Sequence, residues 1–157
     1  MRALALIAVC VLAAVAAQTA RADGDPASDY LLVQRVFVPY EGATAAKQQH
    51  ALVSAVAAAN KAGFTIRVAL IYSNYDLGSV TVLWRKPRTY ARFLGAELGF
   101  VYKQRLLIVM PNGFGFNWPK HPTTAEYALL AKLPIHRGAA GLLESATAAV
   151  QALAKAG

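Results

Sequence analysis

The stretch FTIRVALIY, Phe64 to Tyr72, decides the fold class of this chain. Its second half is a nearly continuous apolar run, which is typical of a strand covered on both faces in a parallel sheet. The residues before it predict a helix over 45–62, because Leu52, Val56 and Ala59 recur at helical spacing. Gly63 follows, where a helix commonly ends. A helix that feeds a doubly covered strand predicts an α/β fold.

The same alternation extends in both directions. YLLVQRVFVPY predicts a strand near 31–39, and RLLIVMP predicts another near 105–111, while the Phe64 stretch supplies the strand near 64–72. Helices are predicted over 87–98 and in the C-terminal stretch that begins AAGLLES. This order predicts a three-layer α/β sandwich with a short, mostly parallel sheet, right-handed crossovers and a C-terminal helix.

MPNGFGFNW, Met110 to Trp118, predicts a hairpin at the end of the third strand. Asn-Gly is a strong hairpin signal, because both residues tolerate positive φ. The returning strand is expected near 114–118, with Phe114, Phe116 and Trp118 on one face. A dinucleotide loop is excluded, because the third glycine of that fingerprint is replaced by Trp118.

The N-terminal segment has the features of a secretory signal over residues 1–22. Arg2 precedes an apolar run, and Ala20-Arg21-Ala22 fits a cleavage site. This predicts export to the periplasm or the extracellular space, with residues 23–157 as a single domain; an uncleaved membrane anchor is the alternative. Because the chain's one cysteine, Cys10, belongs to the predicted signal, the domain is expected to contain no disulfide and no thiol chemistry.

The formal charge of +8 favours anionic partners. For an exported chain these are an envelope protein or an anionic membrane surface, and nucleic acid is not expected. The positive charge is concentrated in Arg85, Lys86, Arg88 and Arg92, which we interpret as a candidate anion-binding patch. A solvated helix face explains the same residues without a ligand. The sequence leaves the oligomeric state open.

Polar side chains follow the predicted strands. Glu41, Asn74, Asp76 and Asn112 are candidate ligand-binding residues, because α/β proteins bind ligands at the carboxyl ends of their strands. Their oxygens suit a hard cation such as Ca²⁺ or Mg²⁺. The alternative is structural, with Asp76 capping a helix and Asn112 serving a turn. Apart from such a cation, no cofactor is predicted.

Residues 31–118 resemble the TPM-domain family of exported or membrane-tethered α/β domains. The resemblance is carried by FTIRVALIY, YARFLGAELG and RLLIVMPNGFGF in this order. The chain departs from the family in FVYKQR, where an Asp/Asn-Gly step is usual, and in lacking a Trp-x-x-Gly step in the preceding helix. The resemblance implies an accessory role in the cell envelope or in membrane complexes. Phosphatase activity, proposed for some members, has no matching motif residue here.

The sequence favours a non-catalytic exported domain that acts through protein or envelope contacts. There is no G-x-S-x-G elbow, and no residue is assigned a catalytic role. Two alternatives remain open. One is a metal-dependent, phosphatase-like hydrolase at the strand ends, and the other is a peripheral binder of anionic membranes.

Overall fold

The computed structural model describes residues 24–157, so the predicted signal peptide lies outside the described residues. This part of the chain forms a four-stranded sheet with helices on both faces. The strands are β1 Val36–Phe37, β2 Ile66–Leu70, β3 Arg105–Met110 and β4 Gly113–Asn117. The helices are α1 Pro26–Val33, α2 Tyr40–Ala43, α3 Ala46–Lys61, α4 Pro87–Glu97, α5 Thr124–Leu130 and α6 Gly138–Ala156, with 3₁₀ turns at Asn74–Leu77, Thr81–Leu83 and Leu98–Phe100.

The sheet has the strand order β1-β2-β3-β4. The first three strands are parallel, with Val68 of β2 opposite Val36 of β1 and Leu107 of β3, and β4 returns antiparallel beside β3. The predicted α/β class with a short, mostly parallel sheet is therefore confirmed. The carboxyl ends of β1, β2 and β3 meet at one edge of the sheet, called here the carboxyl edge.

Alternate side chains of each strand enter two separate cores, as the two-residue period of a strand requires. Val68 and Val109 pack with Leu52 of α3 and Leu143 of α6 on one face. Ala69 and Ile108 pack with Leu31 of α1 and Leu94 of α4 on the other. The predicted three-layer sandwich is thus confirmed, and β2 is apolar on both sides because both sides are covered.

The two parallel crossovers have opposite hands. The chain moves in the same direction across the sheet from β1 to β2 and from β2 to β3. The first connection passes over the face covered by α3, and the second passes over the opposite face, covered by α4. One of the two therefore departs from the right-handed rule, and the prediction that both are right-handed was wrong.

The predicted first strand, near 31–39, was wrong over most of its length. Residues 26–33 form the helix α1, and only Val36 and Phe37 pair as a strand. The helix begins where the Asp25 side chain accepts a hydrogen bond from the backbone N–H of Ala27, and Pro26 takes its first position. This local N-terminal signal outweighs the strand propensity of the residues that follow.

Asp25 ties the N-terminal helix to the core. It is only 2% exposed, and the Tyr90 hydroxyl of α4 lies 2.8 and 2.7 Å from its two carboxylate oxygens. Burial raises the pKa of the Asp25 carboxyl, although its hydrogen bonds with Tyr90 and Ala27 partly oppose this. These contacts therefore fix the polar stretch before Tyr30 from Asp25 onward.

The β3–β4 hairpin confirms the predicted returning strand, with its turn one residue earlier than expected. Met110 pairs with Gly113, so Pro111 and Asn112 form the loop, and Gly113 has a φ of 147°. Phe114 and Phe116 enter the core beneath α6. Gly115 faces α4, where a Cβ atom would overlap the Pro87 carbonyl. The small residue lets helix and strand approach closely.

Candidate anion-binding site

A cleft of about 770 Å³ lies over the carboxyl edge of the sheet. We call it the strand-end cleft. It is bounded by residues that follow each of the three parallel strands and by the start of α6, notably Glu41, Tyr72, Arg85, Pro111, His136 and Arg137. The topology explains this convergence, because parallel strands deliver their following loops to the same edge.

A second cleft, of about 580 Å³, adjoins the first beside the β3–β4 hairpin. We call it the hairpin cleft, and its polar lining includes Lys86, Arg88, Thr89, Asn112 and Tyr127. Each of three loops gives one residue to each cleft, and the two residues are neighbours in the chain. Arg85, Pro111 and His136 line the strand-end cleft, while Lys86, Asn112 and Ile135 line the hairpin cleft. The clefts therefore share a wall.

The wall is held by a bond between two of these loops. The Asn112 side-chain amide donates to the Arg85 carbonyl oxygen at 2.7 Å. Arg85 has a φ of 59°, in the left-handed region that costs about 1–2 kcal/mol for a residue with a Cβ atom. The Asn112 bond gives the carbonyl of this strained residue a partner. The structure thus fixes the boundary between the clefts.

Three long helices begin at the carboxyl edge without the usual neutralisation of their N-termini. Ala45, Lys86 and Arg137 precede α3, α4 and α6, and none of them makes a side-chain capping bond. The first turns of these helices contain no acidic residue. Acidic side chains are normally favoured there, because free N–H groups and the helix dipole make an N-terminus positive. The positive N-termini of these three helices are therefore not offset by an acidic side chain at the cap or in the first turn.

Tyr72 is a neutral, hydrogen-bonded part of the wall of the strand-end cleft. Its pKa is raised by burial, and further by the neighbouring charges of Glu41 and Asp76, so the phenol stays protonated. The hydroxyl donates to the Ala139 carbonyl at 3.0 Å in the first turn of α6. This bond links the end of β2 to the start of the C-terminal helix and fixes one side of the cleft.

The four proposed ligand residues do not converge on one point. Glu41 is exposed and lines the strand-end cleft, and Asn112 lies on the shared wall. Asp76 accepts hydrogen bonds from the backbone N–H groups of Tyr72 and Ser73, at 2.7 and 2.9 Å, closing a capping box around a 3₁₀ turn. Asn74 is exposed in that turn. Within residues 24–157, no three His, Cys, Asp or Glu side chains are grouped as a metal site requires.

The proposed basic patch divides between the two clefts. Arg85 lines the strand-end cleft, and Lys86 and Arg88 line the hairpin cleft. The Arg88 guanidinium lies 4.3 Å from the centre of the Tyr127 ring, which holds it over the hairpin cleft. Arg92 is exposed on α4 but lines neither cleft. The cations thus meet two concave surfaces rather than one flat helix face.

Sequence reasoning missed His136, Arg137 and Tyr72 at this edge. His136 and Arg137 immediately precede α6, a helix that the sequence predicts without its direction. The missing step was the direction of α6, which places its first turn beside Tyr72 and not at the opposite edge. Only the packing of α6 on the sheet decides that direction.

Comparisons with family models, with characterised proteins and with solved structures find no match for this chain. No helix in residues 24–157 combines the length and apolar character needed to cross a bilayer.

Proposed function

We propose that this chain is an exported, non-catalytic domain that binds an anionic group of an envelope component at the carboxyl edge of its sheet. The observation that carries the proposal is the convergence of Arg85, Arg137 and the uncapped start of α6 on the strand-end cleft. Free N–H groups at a helix start, with guanidinium groups beside them, form a favourable site for phosphate or carboxylate.

Binding rather than catalysis is the better interpretation of the groups at this edge. They supply positive charge and hydrogen-bond donors, whereas Glu41 is the one carboxylate among the described residues that line the strand-end cleft. Asp76, the other acidic candidate, is engaged by two backbone N–H groups. An accessory envelope role is also what the TPM resemblance implies, and it remains part of the proposal.

The test is a titration of the full chain with inorganic phosphate, followed by NMR. We expect saturable shifts at Arg85, Pro111 and the first turn of α6. Arg137→Ala is expected to weaken phosphate binding roughly tenfold, which corresponds to about 1.4 kcal/mol for a lost charge-assisted contact. Added sodium chloride should weaken it further, because exposed charges are screened.

Arg92→Ala is the matched control. It removes the same charge from an exposed position on α4, and Arg92 lines neither cleft. Phosphate affinity should stay within about twofold of the original value if the site depends on position. Equal losses of phosphate affinity for Arg92→Ala and Arg137→Ala would show that only the net charge matters. An absence of saturable phosphate binding would contradict the proposed function.

A further inference from the structure

We infer that the two adjoining clefts form one bipartite site for a compound that carries two or more linked phosphate groups. The inference rests on the proposed function, because it assumes that the strand-end cleft takes an anion. It extends that function from a single charged group to a class of ligand. The reasons are the cations in the second cleft, the shared wall and the fixed positions of the groups around it.

The hairpin cleft has its own anion-binding groups. Lys86 and Arg88 are exposed cations on its lining, and Thr89 adds a hydroxyl group. Arg88 is held in place by the Tyr127 ring, and Tyr127 is itself fixed. Its hydroxyl accepts from the Phe116 N–H at 2.8 Å and is 2.9 Å from the Phe116 carbonyl. Unlike a mobile surface arginine, Arg88 therefore loses little side-chain freedom on binding an anion.

The shared wall sets the two sites close together. It consists of the Asn112–Arg85 contact and of loops that give one residue to each cleft. Consecutive residues have Cα atoms about 3.8 Å apart, so clefts lined by the side chains of consecutive residues are separated by on the order of 10 Å. One short, multiply charged molecule can reach both sites across this distance.

The charge balance favours a polyanion over a single anion. Arg85 and Arg137 face one cleft, Lys86 and Arg88 face the other, and Glu41 is the acidic side chain among the described residues that line them. A single phosphate group leaves the cations of one cleft unpaired. Phosphate groups joined by a link long enough to cross the shared wall pair with both sets, and the second contact forms at a high effective concentration.

The test compares inorganic phosphate, pyrophosphate, tripolyphosphate and a longer linear polyphosphate by calorimetry on the full chain at matched ionic strength. We expect affinity to rise with chain length until the two clefts are spanned and then to level off. The spanning compound should bind about 10²- to 10⁴-fold more tightly than phosphate. One molecule of the spanning compound should bind per chain. Two phosphate ions should bind per chain, one in each cleft.

Two variants separate a bipartite site from one strong cleft. Arg137→Ala and Arg88→Ala should each reduce tripolyphosphate affinity at least tenfold, and the double variant should lose less than the product of the single losses, because either change already breaks the link. Arg92→Ala should bind like the unmodified chain. All three residues are exposed, so the fold should persist, and circular dichroism checks this.

The possible failures are distinguishable. If Arg88→Ala binds tripolyphosphate normally while Arg137→Ala does not, the bipartite site is wrong and the proposed function stands. If neither phosphate nor tripolyphosphate binds saturably, the bipartite site and the proposed function are both wrong. Phosphatidylglycerol vesicles test the source of the phosphates. We expect no co-sedimentation at a salt concentration where tripolyphosphate binds. Co-sedimentation that tripolyphosphate reverses would assign the site to lipid headgroups instead of a non-lipid phosphate compound.

Discussion

At the scale of single residues, the Asp25–Tyr90 pair determines how the N-terminal helix is attached. The carboxylate is buried, yet it caps α1 and contacts the Tyr90 hydroxyl of α4. Burial of a charge is costly unless hydrogen bonds compensate for it. The pair therefore couples the anchoring of α1 to the ionisation of one side chain.

Replacing Tyr90 by Phe should make this coupling measurable. The pKa of Asp25 is raised above 3.8 in the folded chain, so the folded state binds the proton more tightly than the unfolded state does. The free energy of unfolding therefore falls as the pH rises from 3.8 through the folded pKa. Loss of the Tyr90 hydroxyl raises that pKa further. We expect Tyr90→Phe to lower the unfolding free energy by about 1–3 kcal/mol near neutral pH, in urea denaturation.

The same substitution should have a smaller effect below pH 3.8, where Asp25 is protonated in the folded and unfolded chains. The double variant Asp25→Asn, Tyr90→Phe is the control, because it removes the titrating group and with it the pH dependence of the penalty. An equal penalty for Tyr90→Phe at both pH values would show that the charged carboxylate is not what the hydroxyl stabilises.

At the scale of elements, the contact between α4 and β4 depends on two glycines. A Cβ atom at Gly115 would overlap the Pro87 carbonyl, and one at Gly95 would overlap the Asn117 side-chain amide. The helix therefore lies almost directly on the backbone of the strand. Since Pro87 follows Lys86, this contact also sets the position of the hairpin cleft.

Gly115→Ala should separate α4 from β4. The new methyl group meets backbone, which cannot rotate away, and overpacking of this kind costs about 1–3 kcal/mol. Urea denaturation measures the loss, and phosphate binding to the hairpin cleft should weaken along with stability. Gly99→Ala is the control, because a Cβ atom there has no neighbour within 4 Å. Similar losses from both substitutions would mean that close packing is not the reason for glycine at position 115.

At the scale of the whole molecule, the positive edge of the sheet predicts which solutes stabilise the fold. A ligand at 100 times its dissociation constant adds about 2.7 kcal/mol to the free energy of unfolding. We expect phosphate or tripolyphosphate to raise the melting temperature by several degrees. Ca²⁺ and Mg²⁺ should leave it unchanged, since Asp76 is engaged by backbone N–H groups.

Sodium chloride at equal ionic strength controls for screening in these melts. A rise in melting temperature with Mg²⁺ and none with phosphate would reverse the order of the hypotheses. It would favour the metal-dependent hydrolase and count against the anion-binding edge.

The sequence by itself determined the α/β class, the parallel strands β2 and β3, the hairpin strand and the C-terminal helix. Each of these has a local sequence pattern. VALIY is apolar at consecutive positions, as in a strand covered on both faces, and FGF alternates large and small residues. Hydrophobic periodicity and turn residues depend on only a few neighbouring positions. The sequence of each such stretch is therefore enough to predict its secondary structure.

Only the tertiary structure decided the opposite hands of the crossovers and the composition of the two clefts. Asp25 meets Tyr90 across 65 positions, and Arg85 meets Asn112 across 27. His136 and Arg137 join Glu41 only because α6 packs with its first turn at the carboxyl edge. Such contacts have no signature in a local stretch, since they arise when separate elements bury their apolar faces against one sheet.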